Sequence, residues 1–281
     1  MSSFLEEMLG IPPQKAHPTP PLALTIAGSD SGGGAGAQAD LKTFAAHRVH
    51  GTSVLTLVTA QNTVGVQHVH MLPTEVVRSQ FNSIWSDLPP VAAKTGALGS
   101  EAMIGTVIEL LQDHPIDNLV IDPVMVSKHG EPLMAESAQR FMANNLIEHA
   151  LLLTPNRHEA EALTGRSVEG INSIKDAAKR IFDMGAKNVL IKGSHLDRIV
   201  RDFFYDGTGF VEFGADRIDR KHLHGSGCVM SASITARLAH GDELLEAIER
   251  TREFISRAIE TAPKIGEGIS PVHPLHELWG D

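Results

Sequence analysis

His224-Gly225-Ser226-Gly227-Cys228 runs directly into an apolar, small-residue helix pattern from Val229 to Ala239. Glycines on either side of one residue at a helix start free backbone N–H groups and let a ligand approach the main chain closely. Those groups, with the positive end of the helix dipole, make a seat for an anion, phosphate above all. Cys228, the sole cysteine of the chain, stands inside that seat. A thiol at a helix N-terminus is expected to have a depressed pKa, which biases it toward the thiolate and lets it act as a base. An anion hole beside a poised base points to phosphoryl transfer, which needs positioning and charge stabilisation more than covalent chemistry. The plainer account of the same residues is a loop, a helix cap and a small buried thiol, so the rest of the chain must decide.

Further polar residues gather where apolar runs end. Leu22–Ala27 reads as a strand, followed by five glycines in nine residues from Gly28 to Gly36, a backbone left bare for close approach to a ligand. This is neither a dinucleotide fingerprint, for want of an acid at the usual distance, nor a Walker A loop, for want of Gly-Lys-Ser/Thr. Asp40 follows on a helix, either turned back toward the loop or solvated on the surface. A second strand ends in Gln61-Asn62, amides that suit a heterocycle or simply cap a turn. Lys94-Thr95-Gly96 lies at another strand end. Asp122 and Glu159 follow the next two strands, where two carboxylates can hold Mg²⁺ through water. Lys192, at the end of the strand after those, can reach a phosphate. The alternating His68 and His70 have zinc-ligand spacing, but without a third ligand they read as a solvated strand face.

The elements that must position these residues alternate. Strands are expected at Leu22–Ala27, Ser53–Thr59, Val66–Met71, Asn118–Ile121, Leu151–Leu153 and Asn188–Ile191. Helices are expected at 36–47, 76–85, 101–112, 137–149, 173–184, 228–240 and 243–261. A hairpin crosses Asp206-Gly207-Thr208-Gly209. Strand alternating with helix means a mostly parallel sheet covered on both faces, and ligands then bind beyond the C-terminal strand ends. Residues 1–20, punctuated by prolines, read as an extension and linker, and residues 21–281 as a single domain.

With 281 residues, 42% of them hydrophobic, the chain can bury a substantial core. The formal charge of −10 argues against general affinity for nucleic acid or anionic membranes, but not against a local phosphate site. One cysteine fits a reducing cytoplasm, Met1–Gly10 lacks the basic residues of a signal peptide, and no apolar run approaches a membrane span.

Taken in order, Gly28 to Lys42, Ala60-Gln61-Asn62-Thr63, Lys94-Thr95-Gly96, Asp122-Pro123-Val124-Met125, Thr154-Pro155-Asn156 with Glu159, Lys192-Gly193 and Gly225–Cys228 resemble the hydroxymethylpyrimidine/phosphomethylpyrimidine kinases of thiamine biosynthesis, in the ribokinase-like superfamily. The resemblance covers about residues 22–276 and implies a three-layer α/β/α sandwich. It implies an ATP- and Mg²⁺-dependent kinase that phosphorylates 4-amino-5-hydroxymethyl-2-methylpyrimidine and then its monophosphate. By that resemblance Gly28, Asp40, Gln61 and Val124 hold the pyrimidine, with Asp40 accepting from its amino group. Asn156 and Lys192 attend the nucleotide, Asp122 and Glu159 organise Mg²⁺, Gly225, Ser226 and Gly227 form the anion hole, and Cys228 takes the hydroxymethyl proton. A cytoplasmic homodimer is also implied.

The chain departs from the family pattern at Leu223 and Val229, each lacking a hydroxyl, and at Ser194, which replaces a glycine. The expected consequence is weaker nucleotide contact. Two other functions fit the same motifs: a pyridoxal kinase, whose substrate also presents a hydroxymethyl group, and a non-catalytic ligand-binding protein on the same scaffold.

Overall fold

In the central strands nearly every residue is buried, because side chains alternate between two covered faces. Ala92, Val120, Leu152 and Leu190 pack to one side against Met230, Ile234 and Leu238. Ala93, Leu119, Ile121, Leu153 and Ile191, one residue along each strand, pack to the other. This computed structural model describes residues 19–127, 130–196, 199–216 and 224–279.

Among the described residues the strands are β1 (Leu22–Asp30), β2 (His50–Asn62), β3 (Gly65–Met71), β4 (Ala92–Thr95), β5 (Leu119–Ile121), β6 (Leu152–Leu153), β7 (Val189–Leu196), β8 (Ile199–Tyr205) and β9 (Phe210–Asp216). They join one sheet in the order β3-β2-β1-β4-β5-β6-β7-β8-β9. The pairs from β2 through β1, β4, β5 and β6 to β7 are parallel. The antiparallel pairs lie at the two edges, β2 with β3 and β7 with β8 with β9.

Helices α1 (Gly36–Ala46), α7 (Ser226–Ala239) and α8 (Leu244–Glu260) cover one face. The other carries α2 (Thr74–Asp87), α3 (Glu101–Asp113), α4 (Glu136–Asn145), α5 (Arg157–Thr164) and α6 (Ile171–Asp183). A short α9 (His276–Trp279) follows. This is the three-layer α/β/α arrangement expected. In α7 the buried run Ser231, Ala232, Ser233, Thr235 and Ala236 is small enough to bring the helix close to the sheet. Its first turn thereby reaches the strand ends.

Most expected elements form within a few residues of their sequence boundaries. The helix expected over 137–149 breaks at Asn145 and finishes as a 3-10 turn, Ile147–His149. The hairpin turns as expected, with Asp206 accepting from the N–H groups of Thr208 and Gly209, both at 2.8 Å. Helix α5 was not foreseen, although Asn156-x-x-Glu159 is the spacing of a capping box. The expected linker falls almost wholly outside the described residues.

Candidate active site

A cavity of about 1060 Å³ opens over the C-terminal ends of β1, β2, β4, β5, β6 and β7. Two glycine segments meet across it. Gly225, the N-cap of α7, has φ +78°, and a Cβ there would lie 1.8 Å from the carbonyl oxygen of Gly34. Gly36 has φ +57°, and its Cβ would lie 2.3 Å from the carbonyl oxygen of Gly28. Both positions need left-handed backbone and bare contact, so glycine is required twice over.

Asp30 ties the two segments together. Its carboxylate accepts from the N–H groups of Gly32, Gly34 and Ala35 at 2.8, 3.0 and 2.8 Å, and contacts Nε2 of His224 at 2.9 Å. Burial raises its pKa, but His224 and the backbone donors outweigh burial and hold it below the usual carboxylate range. Nε2 of His224 also lies 3.3 Å from the Gln61 amide. Neither Asp30 nor His224 was given a role from the sequence, although Asp30-x-Gly32 is an Asx-turn signal.

Gly225, Ser226, Gly227 and Cys228 all line the cavity, as do Gly28, Gln61, Val124, Asp122, Asn156, Glu159 and Lys192. The first-turn N–H groups of α7 have no partner within the helix and suit an anion. A Cβ built on Gly227 would stand 3.3 Å from Nζ of Lys192 and 3.8 Å from Oδ2 of Asp122. The anion seat is therefore backed by a buried ion pair, Lys192 to Asp122 at 2.5 Å. Asp122 further accepts from Ser231 at 3.3 Å. Burial raises its pKa, but Lys192 and then Lys94 outweigh burial and keep it ionised.

Asn156 and Glu159 form the capping box of α5, with reciprocal bonds of 3.0 and 2.7 Å. Burial pushes Glu159 up to about 7, with Asp122 reinforcing the rise and Lys192 opposing it. Among the described residues no three His, Cys, Asp or Glu side chains cluster as a metal cage. Asp122 and Glu159 instead suit an ion that keeps its waters and arrives on phosphates. His68 and His70 are exposed on β3, as read from the sequence.

Three expectations are corrected. Cys228 opens on the cavity and its sulfur accepts from the Gly36 N–H, yet it lies deep enough that burial pushes the thiol up to about 11. Lys94 opposes that rise, while Asp40 and Asp122 add to it, so the depressed pKa does not hold here. Asp40 is not on the cavity wall. It is fully buried, with one oxygen accepting from Thr25 at 2.6 Å and the other from Lys94 at 2.8 Å. Val229 is fully buried in a cluster with Ala39, Phe254 and Ile255, so its lost hydroxyl touches packing and not the nucleotide. Leu223, the stretch 217–223 and the side chain of Ser194 lie outside what is described.

Lys94 is the residue that sequence reading underused. It shares a strand face with Ala92 and so points toward α1 and α7 (where Asp40 and Cys228 lie), and it reaches the cavity. Its signal was a lysine in a four-residue strand, following two alanines and preceding Thr95.

A parallel sheet sandwiched by helices, a glycine loop after β1 and an anion seat above the strand ends define a small-molecule phosphotransferase of the ribokinase-like kind. Residues 30–273 match the phosphomethylpyrimidine kinase family, and the chain belongs to it. It is 42% identical over 253 residues to a hydroxymethylpyrimidine/phosphomethylpyrimidine kinase of Bacillus subtilis, covering 89% of this chain and 93% of that one. Among solved structures, the ADP complex of Bacillus subtilis pyridoxal kinase superposes with a TM-score of 0.87 at 34% identity, covering 93% of this chain and 100% of the other. Phosphomethylpyrimidine kinase from Clostridium difficile superposes at 0.76 with 39% identity, covering 85% and 99%.

Proposed function

We propose that the chain transfers the γ-phosphoryl group of ATP to hydroxymethylpyrimidine and then to its monophosphate, as a kinase of thiamine biosynthesis. The observation that carries this reading is the convergence of the α7 anion seat, Cys228 and the Lys192–Asp122 pair on one cavity wall, in a chain of this family. In the first transfer the hydroxymethyl oxygen forms a bond to Pγ while the bond from Pγ to the bridging oxygen of ADP breaks. The hydroxyl proton passes to Cys228 as thiolate. With the thiol near 11, about one molecule in 10⁴ carries that thiolate at pH 7 before substrate covers it, so alcohol turnover should climb with pH. Gly225, Ser226 and Gly227 seat the transferring group, and Lys192 offsets its charge. Gly28, Gln61 and Val124 form the acceptor side.

Asp122 and Glu159 fit Mg²⁺ borne on the nucleotide, where the ion would neutralise phosphate charge. The acidic chain favours small ligands over nucleic acid, and among the described residues no helix is long and apolar enough to cross a membrane. A cytoplasmic homodimer and a single domain over residues 21–281 belong to the same reading.

The pyridoxal kinase reading has one observation in its favour, the closer superposition on the Bacillus subtilis enzyme. A purely ligand-binding role sits poorly with Cys228, Asp122 and Glu159 all facing one cavity. ADP release with Mg-ATP, measured in parallel on hydroxymethylpyrimidine, its monophosphate and pyridoxal, decides among the three. Turnover on both pyrimidines is the expected result; turnover on pyridoxal alone, or on nothing, defeats it.

A further inference from the structure

Lys94 is fully buried, and its ammonium makes a single hydrogen bond among the described residues, to Asp40 at 2.8 Å. An ammonium has three N–H donors, so two remain for something else, on a group that is costly to leave unsatisfied. Lys94 is among the residues that line the cavity. Gly96 lies beside the ammonium without a side chain: a Cβ there would stand 3.9 Å from Nζ and 2.9 Å from Cβ of Ala27. Asp40, by contrast, has an oxygen on Thr25 and an oxygen on Lys94 and no access to the cavity, which makes it a fixed counterion that keeps Lys94 charged. The second cavity lysine, Lys192, stands beside the anion seat at Gly227. The cavity lining thus holds two lysines, Lys94 and Lys192.

The two acceptors of the proposed function, on which this inference rests, differ in chemistry. An alcohol must lose a proton as its oxygen bonds to Pγ and ADP leaves. A phosphate monoester dianion has no proton to lose; its oxygen bonds to Pγ and the bridging bond breaks as before, but its charge repels the nucleotide. We infer that Lys94 holds the acceptor oxygen through its two spare donors and chiefly serves the second phosphorylation, as Cys228 chiefly serves the first.

The test is kcat/KM on both pyrimidines for the double variant Lys94→Met/Asp40→Asn, set against Cys228→Ser. Removing both charges of the buried pair together avoids stranding either, and thermal melting with Mg-ADP binding checks that the fold stands. The double variant should lose about 10³-fold on the monophosphate and about tenfold on the alcohol, the scale of losing a preorganised charge in the transition state. Cys228→Ser should show the opposite bias. Equal losses on both acceptors, or a larger loss on the alcohol, overturn the inference alone. Wild-type protein silent on the monophosphate overturns the parent reading and this inference with it.

Discussion

Two lysine–aspartate pairs are buried beneath the same cavity, and they are built differently. Lys192–Asp122, at 2.5 Å, is open: both partners reach the cavity, and Asp122 also bonds Ser231. Lys94–Asp40, at 2.8 Å, is closed to solvent: neither side chain is exposed, Asp40 on α1 is held by Thr25, and only Lys94 of the two lines the cavity. An open pair can exchange partners when charged ligands arrive. A closed carboxylate cannot, so it fixes one cation in place whatever is bound. Equal residue types at strand ends therefore do unequal work according to which partner the fold places on the cavity.

The largest effect is expected at the open pair. Lys192→Met should strand Asp122 and remove the cation behind the anion seat, lowering kcat about 10³-fold. A loss confined to KM would mean that Lys192 only binds ground-state nucleotide. At the closed pair, Asp40→Asn should cost about 3 kcal/mol of stability in denaturant melts while Mg-ATP affinity stays within a few-fold. A stable variant with specific loss of pyrimidine binding would restore the direct ring contact first expected of Asp40.

Between the pairs, Cys228→Ala should lower kcat on the alcohol about 10²-fold with KM little changed, and flatten the alkaline climb of its rate. Near-normal turnover would leave the thiol as packing. The smallest effect concerns Glu159 beside the open pair. Its folded pKa of about 7 lies above the ordinary 4.5, so its contribution to stability is full below about pH 4.5 and is lost as pH rises through 7. Folding free energy should fall by about 2 kcal/mol between pH 5 and pH 7 on this account, and Glu159→Gln should remove that slope.

Much of the site was legible because strand-end chemistry is local. Gly225–Cys228, Asp122, Asn156, Glu159 and Lys192 were placed at element boundaries, and those boundaries face one cavity. What escaped was pairing across distance. Lys94 and Asp40 are 54 residues apart, Asp30 and His224 are 194 apart, and no spacing rule joins them. Helix α5 escaped for a different reason: its eight residues carry too short an apolar pattern to stand out, and only the capping box announces it.

The order of strands and helices, the two glycine segments and the polar residues that end each strand were determined by the sequence itself, since they follow from side-chain periodicity and backbone freedom along a short stretch of chain. The tertiary structure alone decided the state of the thiol, the partner of Asp40 and the burial of Lys94. Each of those depends on how much water is excluded and which charge arrives from another element, quantities that exist only once the layers have packed.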